Sequence, residues 1–402
     1  MKILAIETSC DETAVSVLEA TGTFPDVRFT VHGNALYSQA KLHAAFGGVY
    51  PTLAKREHVA NLTPLLVAAL REAKMYDRVE SAATAEQITF CNTLFSHEPR
   101  LCESVLRDIP TLRTPDIDAI AVTQGPGLEP ALWVGINFAR ALAYFWNLPI
   151  IPVNHLEGHL VASAVQVSDT PRDYVLEDIP FPVLGLLISG GHTEFVYARA
   201  WGSYEVIGAT RDDSVGEAFD KIARLLDLPY PGGPEISRYA ARGRPSLLRR
   251  EVLQGGIMQK PLPRPMATSD DLDFSFSGLK TAVKYALQAI PEITDVIRDR
   301  MCAEFEEAVV DVFSTKTKRA LAHYATNTFV LGGGVSANTY IRARLADLIA
   351  SNGNGVAMRV PAQGLSTDNA IMIGMAAYLD HLRNTPTAQA TDALQANGNL
   401  SL

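Results

Sequence analysis

Apolar and polar positions along the chain follow two periods, one of strands and one of helices. "ILAIETSCDETAVSVLEA" reads as an apolar strand, a polar turn and a second strand, with "FTVHGNALYS" as a third. The same order returns about 180 residues later, where "VLGLLISGGHTEFVYARA" gives strand, glycine turn and strand, and "YEVIGATR" supplies the third. A duplicated opening of this kind predicts two related α/β lobes with a cleft between them. Helical spacing covers Glu57 to Ala73, Val134 to Asn147, His155 to Val167, Ser214 to Leu228, Ser277 to Ile290, Glu292 to about Tyr324, Ser336 to Ser351 and Asp368 to Arg383. "DAIAVTQGPG" and "TFVLGGGVSAN" are strands entering glycine turns. Residues 74–117 hold no sustained period and are expected to be an insertion or variable hairpin. The stretch 385–402, rich in Ala, Gln, Asn and Thr, is expected to be disordered.

Composition adds limits. The 402 residues, 47% hydrophobic and 20% charged, suit an ordinary globular protein with room for two cores. Apolar runs such as "FPVLGLLISGG" are strand-length and end in glycine, whereas a spanning helix needs about 20 apolar residues, so no membrane association is expected. A first strand starting at Ile3 leaves no room for a leader, and Cys10, Cys91, Cys102 and Cys302 show no paired metal spacing; both point to a cytoplasmic, reducing setting. A net charge of −9 argues against indiscriminate nucleic-acid binding. Between Arg238 and Arg264, however, seven basic residues (Arg238, Arg242, Arg244, Arg249, Arg250, Lys260, Arg264) face a single acid, Glu251. That segment is either a solvated face or the place where a phosphate backbone is met.

Candidate chemistry gathers in a few stretches. Gly125-Pro126-Gly127, Gly190-Gly191 and Gly332-Gly333-Gly334 each follow a strand and bare their backbone N–H groups, which suits phosphate contact, although tight turns also need glycine on steric grounds. Neither GxxxxGK[ST] nor GxGxxG occurs, which disfavours P-loop and Rossmann readings. Ser336 reads as a helix N-cap, with Asn338 exposed in the first turn as a contact for a ribose or base. "NHLEGHL" sets His155 and His159 four apart, on one helical face, behind Pro152 and Asn154. Two imidazoles and a carboxylate, here Asp368, form the arrangement of non-haem iron and some zinc sites. In an HExxH peptidase the glutamate follows the first histidine; Glu157 instead lies about 200° round the helix from His155. "DDSVGEAFDKIARLLDLPYPGG" carries Asp212, Asp213, Glu217, Asp220 and Lys221, then a rigid turn ending in Gly232 and Gly233.

In order, "IETSCDETAVSV", "SQAKLHAAFGGVYPTLAKREH", "TQGPGLEPALWVG", "NHLEGHL", "LISGGHTEF", "GEAFDKIARLLDLPYPGGP", "FSFSGLKTAV", "GGGVSAN" and "STDNAIMI" make the chain resemble the tRNA N6-adenosine threonylcarbamoyltransferase family, of bacterial or organellar type, once described as glycoproteases. The resemblance implies an actin-like, Hsp70-like fold of duplicated RNase H-like lobes: an N-terminal lobe, 1–128, completed by the helix at 366–383, and a second lobe, 129–365, carrying metal, nucleotide and tRNA-contacting elements. It implies transfer of a threonylcarbamoyl group from threonylcarbamoyl-AMP to N6 of adenosine 37 in tRNAs reading codons that begin with A. It places one divalent metal, Fe(II) or else zinc, on His155, His159 and Asp368. Substrate contacts fall on Leu187, Ile188, Ser189, Gly190, Gly191, Asp220, Gly233 and Asn338. Asp11 and Glu12 fall on expected catalytic positions, with His43 and His58 on other motif positions; Arg242, Arg244 and Arg249 are the expected tRNA contacts. Some relatives carry Tyr where Leu187 stands. Expected partners are tRNA and either a paralogous protein with a small ATPase or a second copy of the chain. The competing readings are a metal-dependent glycoprotein endopeptidase and a non-catalytic ATP-binding protein or sugar kinase on the same fold.

Overall fold

A computed structural model describes residues 1–248, 261–288, 290–352, 355–384 and 394–402. The chain divides into two compact units, one of residues 1–39, 49–179 and 361–402, the other of residues 40–48 and 180–360.

In the first unit the strands are β1 (Lys2–Glu7), β2 (Glu12–Thr23), β3 (Asp26–Ser38), β4 (Ala119–Gly125), β5 (Ile150–Asn154), β6 (Gln166–Val167) and β7 (Asp173–Leu176), in the order β5-β4-β1-β2-β3-β7-β6. β1, β2 and β3 form an antiparallel meander, while β4 and β5 run parallel to β1. Alternation along β1 and β2 sorts the helices. Leu4, Ile6, Val15 and Val17 join the core with Leu62 and Leu66 of α2 (Pro51–Glu72) and Ile136 and Leu142 of α5 (Glu129–Trp146). The intervening positions meet α12 (Ala370–Arg383), where a Cβ on Gly374 would lie 2.2 Å from Leu18 Cδ2 and 3.3 Å from Ala5 Cβ. Glycine is what lets this helix sit on the sheet.

The second unit contains α1 (Ala40–Ala44) and strands β8 (Val183–Ile188), β9 (Thr193–Ala200), β10 (Ser203–Ala209), β11 (Thr328–Gly332) and β12 (Ala357–Arg359), in the order β10-β9-β8-β11-β12. Again the first three strands are antiparallel and the last two run parallel to the first. The duplicated opening thus becomes a duplicated RNase H-like sheet, the repeat unit of the actin-like and Hsp70-like fold. Its helices are α7 (Val215–Leu225), α8 (Gly232–Leu248), α9 (Ser277–Gln288), α10 (Asp295–His323) and α11 (Thr339–Ser351). Phe219, Phe274, Phe305 and Phe313 are buried at its centre. Among the described residues no helix is long and apolar enough to cross a membrane.

Several expectations are corrected. The boundary lies at 179/180 rather than 128/129, because β5 pairs with β4 and draws α6 (His155–Ala164) into the first unit. Residues 74–117 are not a hairpin: they form α3 (Ala85–Leu94) and α4 (Pro99–Asp108), with Cys91, Leu101 and Val105 buried in the first core. Their brevity hides the helical period, but Thr84 and Gln87 form a capping box that marks the start of α3. α8 begins at the two glycines where only a turn was expected. Asn338, not Ser336, is the N-cap of α11, its Oδ1 accepting from Tyr340 N and Ile341 N; Ser336 sits in a preceding 3₁₀ turn, Gly334–Ala337.

The expected disordered tail is also corrected where it is described. Residues 394–402 pack on the first unit: Leu394 is buried in its core, Arg140 donates to Leu394 O at 2.6 Å, and Asn397 N donates to Gln124 O at 3.0 Å. Gly127 N donates to Gly398 O at 3.1 Å, and a Cβ on Gly125 would fall 1.9 Å from Asn397 O. The Gly125–Gly127 turn is therefore covered by the chain itself: Gly125 makes room for Asn397, and Gly127 makes room for Ser9, whose O lies 2.6 Å from where its Cβ would be. Composition misled because the segment is anchored by one leucine and by backbone groups, which any sequence carries. Leu394→Ala is expected to cost about 2 kcal/mol and to lower the thermal midpoint by about 4–8 °C; calorimetry checks this, and an unchanged midpoint would show that the anchor contributes nothing.

Candidate metal centre and ligand-binding turns

The histidine pair is built by a short β5–α6 junction. Asn154 ends β5 and caps α6, its Oδ1 accepting from Leu156 N at 2.9 Å and Glu157 N at 3.4 Å, so His155 opens the helix and His159 follows one turn later. The imidazoles meet edge to face, centroids 4.7 Å apart. Asp368 precedes α12, whose cap, Asn369, accepts from Met372 N. Asp368 Oδ1 lies 3.1 Å from His159 Nε2 and 3.4 Å from His155 Nε2. One ligand atom from each of the three residues falls within 4.8 Å of the others, a set able to hold a metal ion.

Glu7, which sequence reading missed, completes this centre. It is fully buried at the end of β1, and its Oε2 lies 3.0 Å from His155 Nδ1 and accepts from Thr123 Oγ1 at 2.7 Å. That leaves His155 Nε2 facing Asp368, the carboxylate–histidine arrangement that orients metal ligands. The one sequence signal was a charge closing the apolar run "KILAIE". Burial opposes the imidazolium of His155, but Asp368 and Glu7 together hold its pKa well above the ordinary value. Burial likewise opposes ionisation of Asp368, yet His155 and His159 keep its carboxyl well below the usual range. His159 Nδ1 is buried without a hydrogen-bond partner. A dry locus with two carboxylates and two imidazoles calls for positive charge, and the donor set fits a divalent transition metal. Glu157 turns away, its Oε1 accepting from Arg383 of α12 at 2.8 Å.

Asp11 ends the turn from β1 to β2 and Glu12 opens β2. Burial, helped by the charges of Asp11 and Asp368, pushes the Glu12 carboxyl up to about 9. His58 on α2 fixes that turn: Nε2 lies 2.9 Å from Cys10 O and Nδ1 lies 2.7 Å from Thr13 Oγ1, a pairing met by the Nε2–H tautomer. His43 is buried in α1, within the second unit.

The expected substrate contacts all belong to the second unit. Leu187 and Ile188 are buried in β8 and so offer backbone groups to the turn that follows. Ser189 Oγ accepts from Gly191 N at 3.3 Å and His192 N at 3.0 Å. Three glycines pin the neighbouring segments together. A Cβ on Gly216 would lie 2.5 Å from Ser189 O, on Gly333 2.4 Å from Ile188 O, and on Gly232 2.8 Å from Asp220 Cα. Asp220 Oδ1 also accepts from Gly232 N at 2.6 Å. By contrast, a Cβ on Gly190, Gly191, Gly233 or Gly334 would meet nothing within 4 Å among the described residues. Close contact thus fixes three turns whose remaining glycines face open space.

The basic segment is less free than its sequence suggests. Arg238 pairs with Glu235, Arg242 with Asp299 at 2.7 Å, Arg244 with Glu306, and Arg264 with Glu304 at 3.0 Å and Asp311 at 2.9 Å. α8 packs on α10, and acids of α10, distant in sequence, pair with Arg242, Arg244 and Arg264. Arg249, Arg250, Glu251 and Lys260 lie outside the described residues.

The family model described as tRNA N6-adenosine threonylcarbamoyltransferase matches residues 30–85 and 98–375; the stretch between them falls on α3 and the turn after it. A tRNA N6-adenosine threonylcarbamoyltransferase of Bacillus cereus (strain ATCC 14579) is 39% identical over 401 residues, 100% of this chain and 96% of the relative. One from Staphylococcus haemolyticus (strain JCSC1435) is 39% identical over 377 residues, 94% of this chain and 90% of the relative. Among solved structures, full-length HypF in its phosphate- and nucleotide-bound form aligns with a TM-score of 0.44 at 14% identity, over 71% of this chain and 41% of that one. With a family match across most of its length and relatives at this identity end to end, the chain belongs to the tRNA N6-adenosine threonylcarbamoyltransferase family.

Proposed function

We propose that this chain transfers the threonylcarbamoyl group from L-threonylcarbamoyl-AMP to N6 of adenosine 37 in tRNAs that read codons beginning with A, releasing AMP. The observation that carries this reading is full-length identity to relatives bearing that activity in their name. In the transfer, N6 forms a bond to the carbamoyl carbon, the bond from that carbon to the phosphate oxygen breaks with its electrons going to AMP, and N6 gives up a proton. The amine is a weak nucleophile, so positioning and charge stabilisation carry the catalysis.

In this reading the Leu187–Gly191 turn, Asp220 and Gly233 hold the acyl-adenylate, and Asn338, whose amide is already bonded within the protein, takes part through the Gly334 turn it follows. The open space beside Gly190, Gly191 and Gly233 supports that role, since without side chains phosphate and carbonyl oxygens can approach the backbone closely there. His155, His159 and Asp368 would hold one divalent ion, Fe(II), with zinc the alternative. When bound, it supplies Lewis acidity toward a carbonyl or phosphate oxygen. Glu7 keeps the His155 ring oriented, and Asp11 and Glu12 are the proposed catalytic carboxylates. tRNA is read with its target base splayed from the anticodon loop. Arg242 would exchange Asp299 for a phosphate and Arg249 would join it, whereas the Arg244 pair with buried Glu306 makes Arg244 a poorer candidate. The chain would work in the cytoplasm with a paralogous partner and a small ATPase, or as a homodimer. A peptidase would need a glutamate beside the ion, and Glu157 is paired with Arg383 instead.

Incubating the purified chain with metal, threonylcarbamoyl-AMP, unmodified tRNA and the partner proteins is expected to yield modified adenosine by mass spectrometry; cleavage of glycoprotein without modified tRNA would reverse the assignment. Glu7→Gln is expected to weaken metal affinity by about 10–100-fold in chelator competition, and an unchanged affinity would remove Glu7 from the centre. Gly191→Val should leave the thermal midpoint within about 1 °C while abolishing AMP binding, because its side chain enters open space, whereas Gly333→Val, at φ +84 and 2.4 Å from Ile188 O, should destabilise by about 1–3 kcal/mol or more. Equal effects on stability would contradict the division between open and packed glycines.

A further inference from the structure

Glu306 is an acid where a core residue is expected. It lies mid-way along α10, fully buried, between Phe305 and Ala308 of the second core. Replacing a buried ion pair by apolar side chains is often neutral or stabilising, so stability alone gives little reason for a carboxylate here. Its hydrogen bonds converge instead. Oε1 accepts from Ser237 Oγ at 3.0 Å and Asn338 Nδ2 at 2.8 Å, and Oε2 accepts from Arg244.

These bonds fix the amide of Asn338. Tyr340 N and Ile341 N at the start of α11 can only donate, at 2.9 and 3.0 Å, so Oδ1 must face them and Nδ2 must face Glu306. Nδ2 also donates to Ser237 Oγ at 2.8 Å. Both ends of the amide are therefore committed. Ser237 stands about one helical turn after Gly233 on α8, and Asn338 stands directly after the 3₁₀ turn that begins at Gly334. Gly233 and Gly334 are two of the glycines that face open space. One buried carboxylate thus ties together the two turns that carry them.

We propose that Glu306 is a positioning residue for the nucleotide: by joining Ser237 of α8 to Asn338 of α11 it sets the spacing of the Gly233 and Gly334 turns against the adenylate. This deepens the transferase reading and rests on it for the identity of the ligand. Glu306 itself touches no substrate. Glu306→Gln keeps the shape but presents an amide donor either to Arg244 or to the Asn338 and Ser237 donors, so the turns lose their common acceptor.

The test is AMP binding by calorimetry on the full chain, with steady-state transfer measured beside it. Glu306→Gln is expected to weaken AMP affinity by about tenfold. KM for threonylcarbamoyl-AMP should rise correspondingly, with KM for tRNA and metal content unchanged. Combined with Asn338→Ala it should add less than the sum of the two effects, because both break one network. If Glu306→Gln does not fold, Ser237→Ala removes a single hydroxyl from the same acceptor and should weaken AMP about threefold. A folded Glu306→Gln, or Ser237→Ala in its place, that binds AMP within about 1.5-fold of wild type would overturn the proposal, as would a wild type that binds no AMP. A wild type that binds AMP tightly, loses it on Glu306→Gln and yet modifies no tRNA would sink the transferase reading while leaving the positioning role standing.

Discussion

Burying charge is costly unless something of opposite sign is supplied, and in the first unit that constraint governs the layout. Glu7 has no access to water at the end of a strand whose other residues are core, and Asp368 sits nearby at the entrance to α12. Thr123 and Ser9 N donate to Glu7, and the imidazoles of His155 and His159, with any cation they gather, supply the opposite charge. The cap at Asn154, the lie of α6 and the seating of α12 on the sheet through Gly374 all bring partners to those carboxylates. Each of these features is unremarkable alone, yet together they leave one set of donor atoms pointing inward.

The second unit answers a different requirement, that of turns where the backbone is left uncrowded while neighbouring segments pack closely. Glycine serves both needs. Where another chain segment presses close, as at Gly216 and Gly333, it makes room; where nothing is near, as at Gly190 and Gly191, it leaves room. Rigid neighbours keep the second kind from filling in, and the buried carboxylate on α10 belongs to that framework.

Much of this was legible from the chain. Strands with apolar runs and long periodic helices stood out because their burial is written in their own periods. His155, His159 and Asp368 could be grouped because helical spacing and a helix start are local features. What stayed hidden depends on pairings distant in sequence. Glu7 and Glu306 look like surface acids until their partners, 148 and 62 residues away in His155 and Arg244, are known. The basic strip looked free because the counter-charges of Arg242, Arg244 and Arg264 lie on α10. The short helices α3 and α4 lack enough turns to establish a period, and the terminal segment is held largely by main-chain groups that leave no mark in composition.

Strands β5-β4-β1-β2-β3 of the first sheet and β12-β11-β8-β9-β10 of the second follow one order, so the turn after β4 and the turn after β11 are equivalent places. Their fates differ. After β11, Gly334 borders empty space; after β4, Gly125 and Gly127 are occupied by peptide from the far end of the same chain. One of two equivalent corners is thus closed by the protein's own main chain, while nothing among the described residues crowds the other.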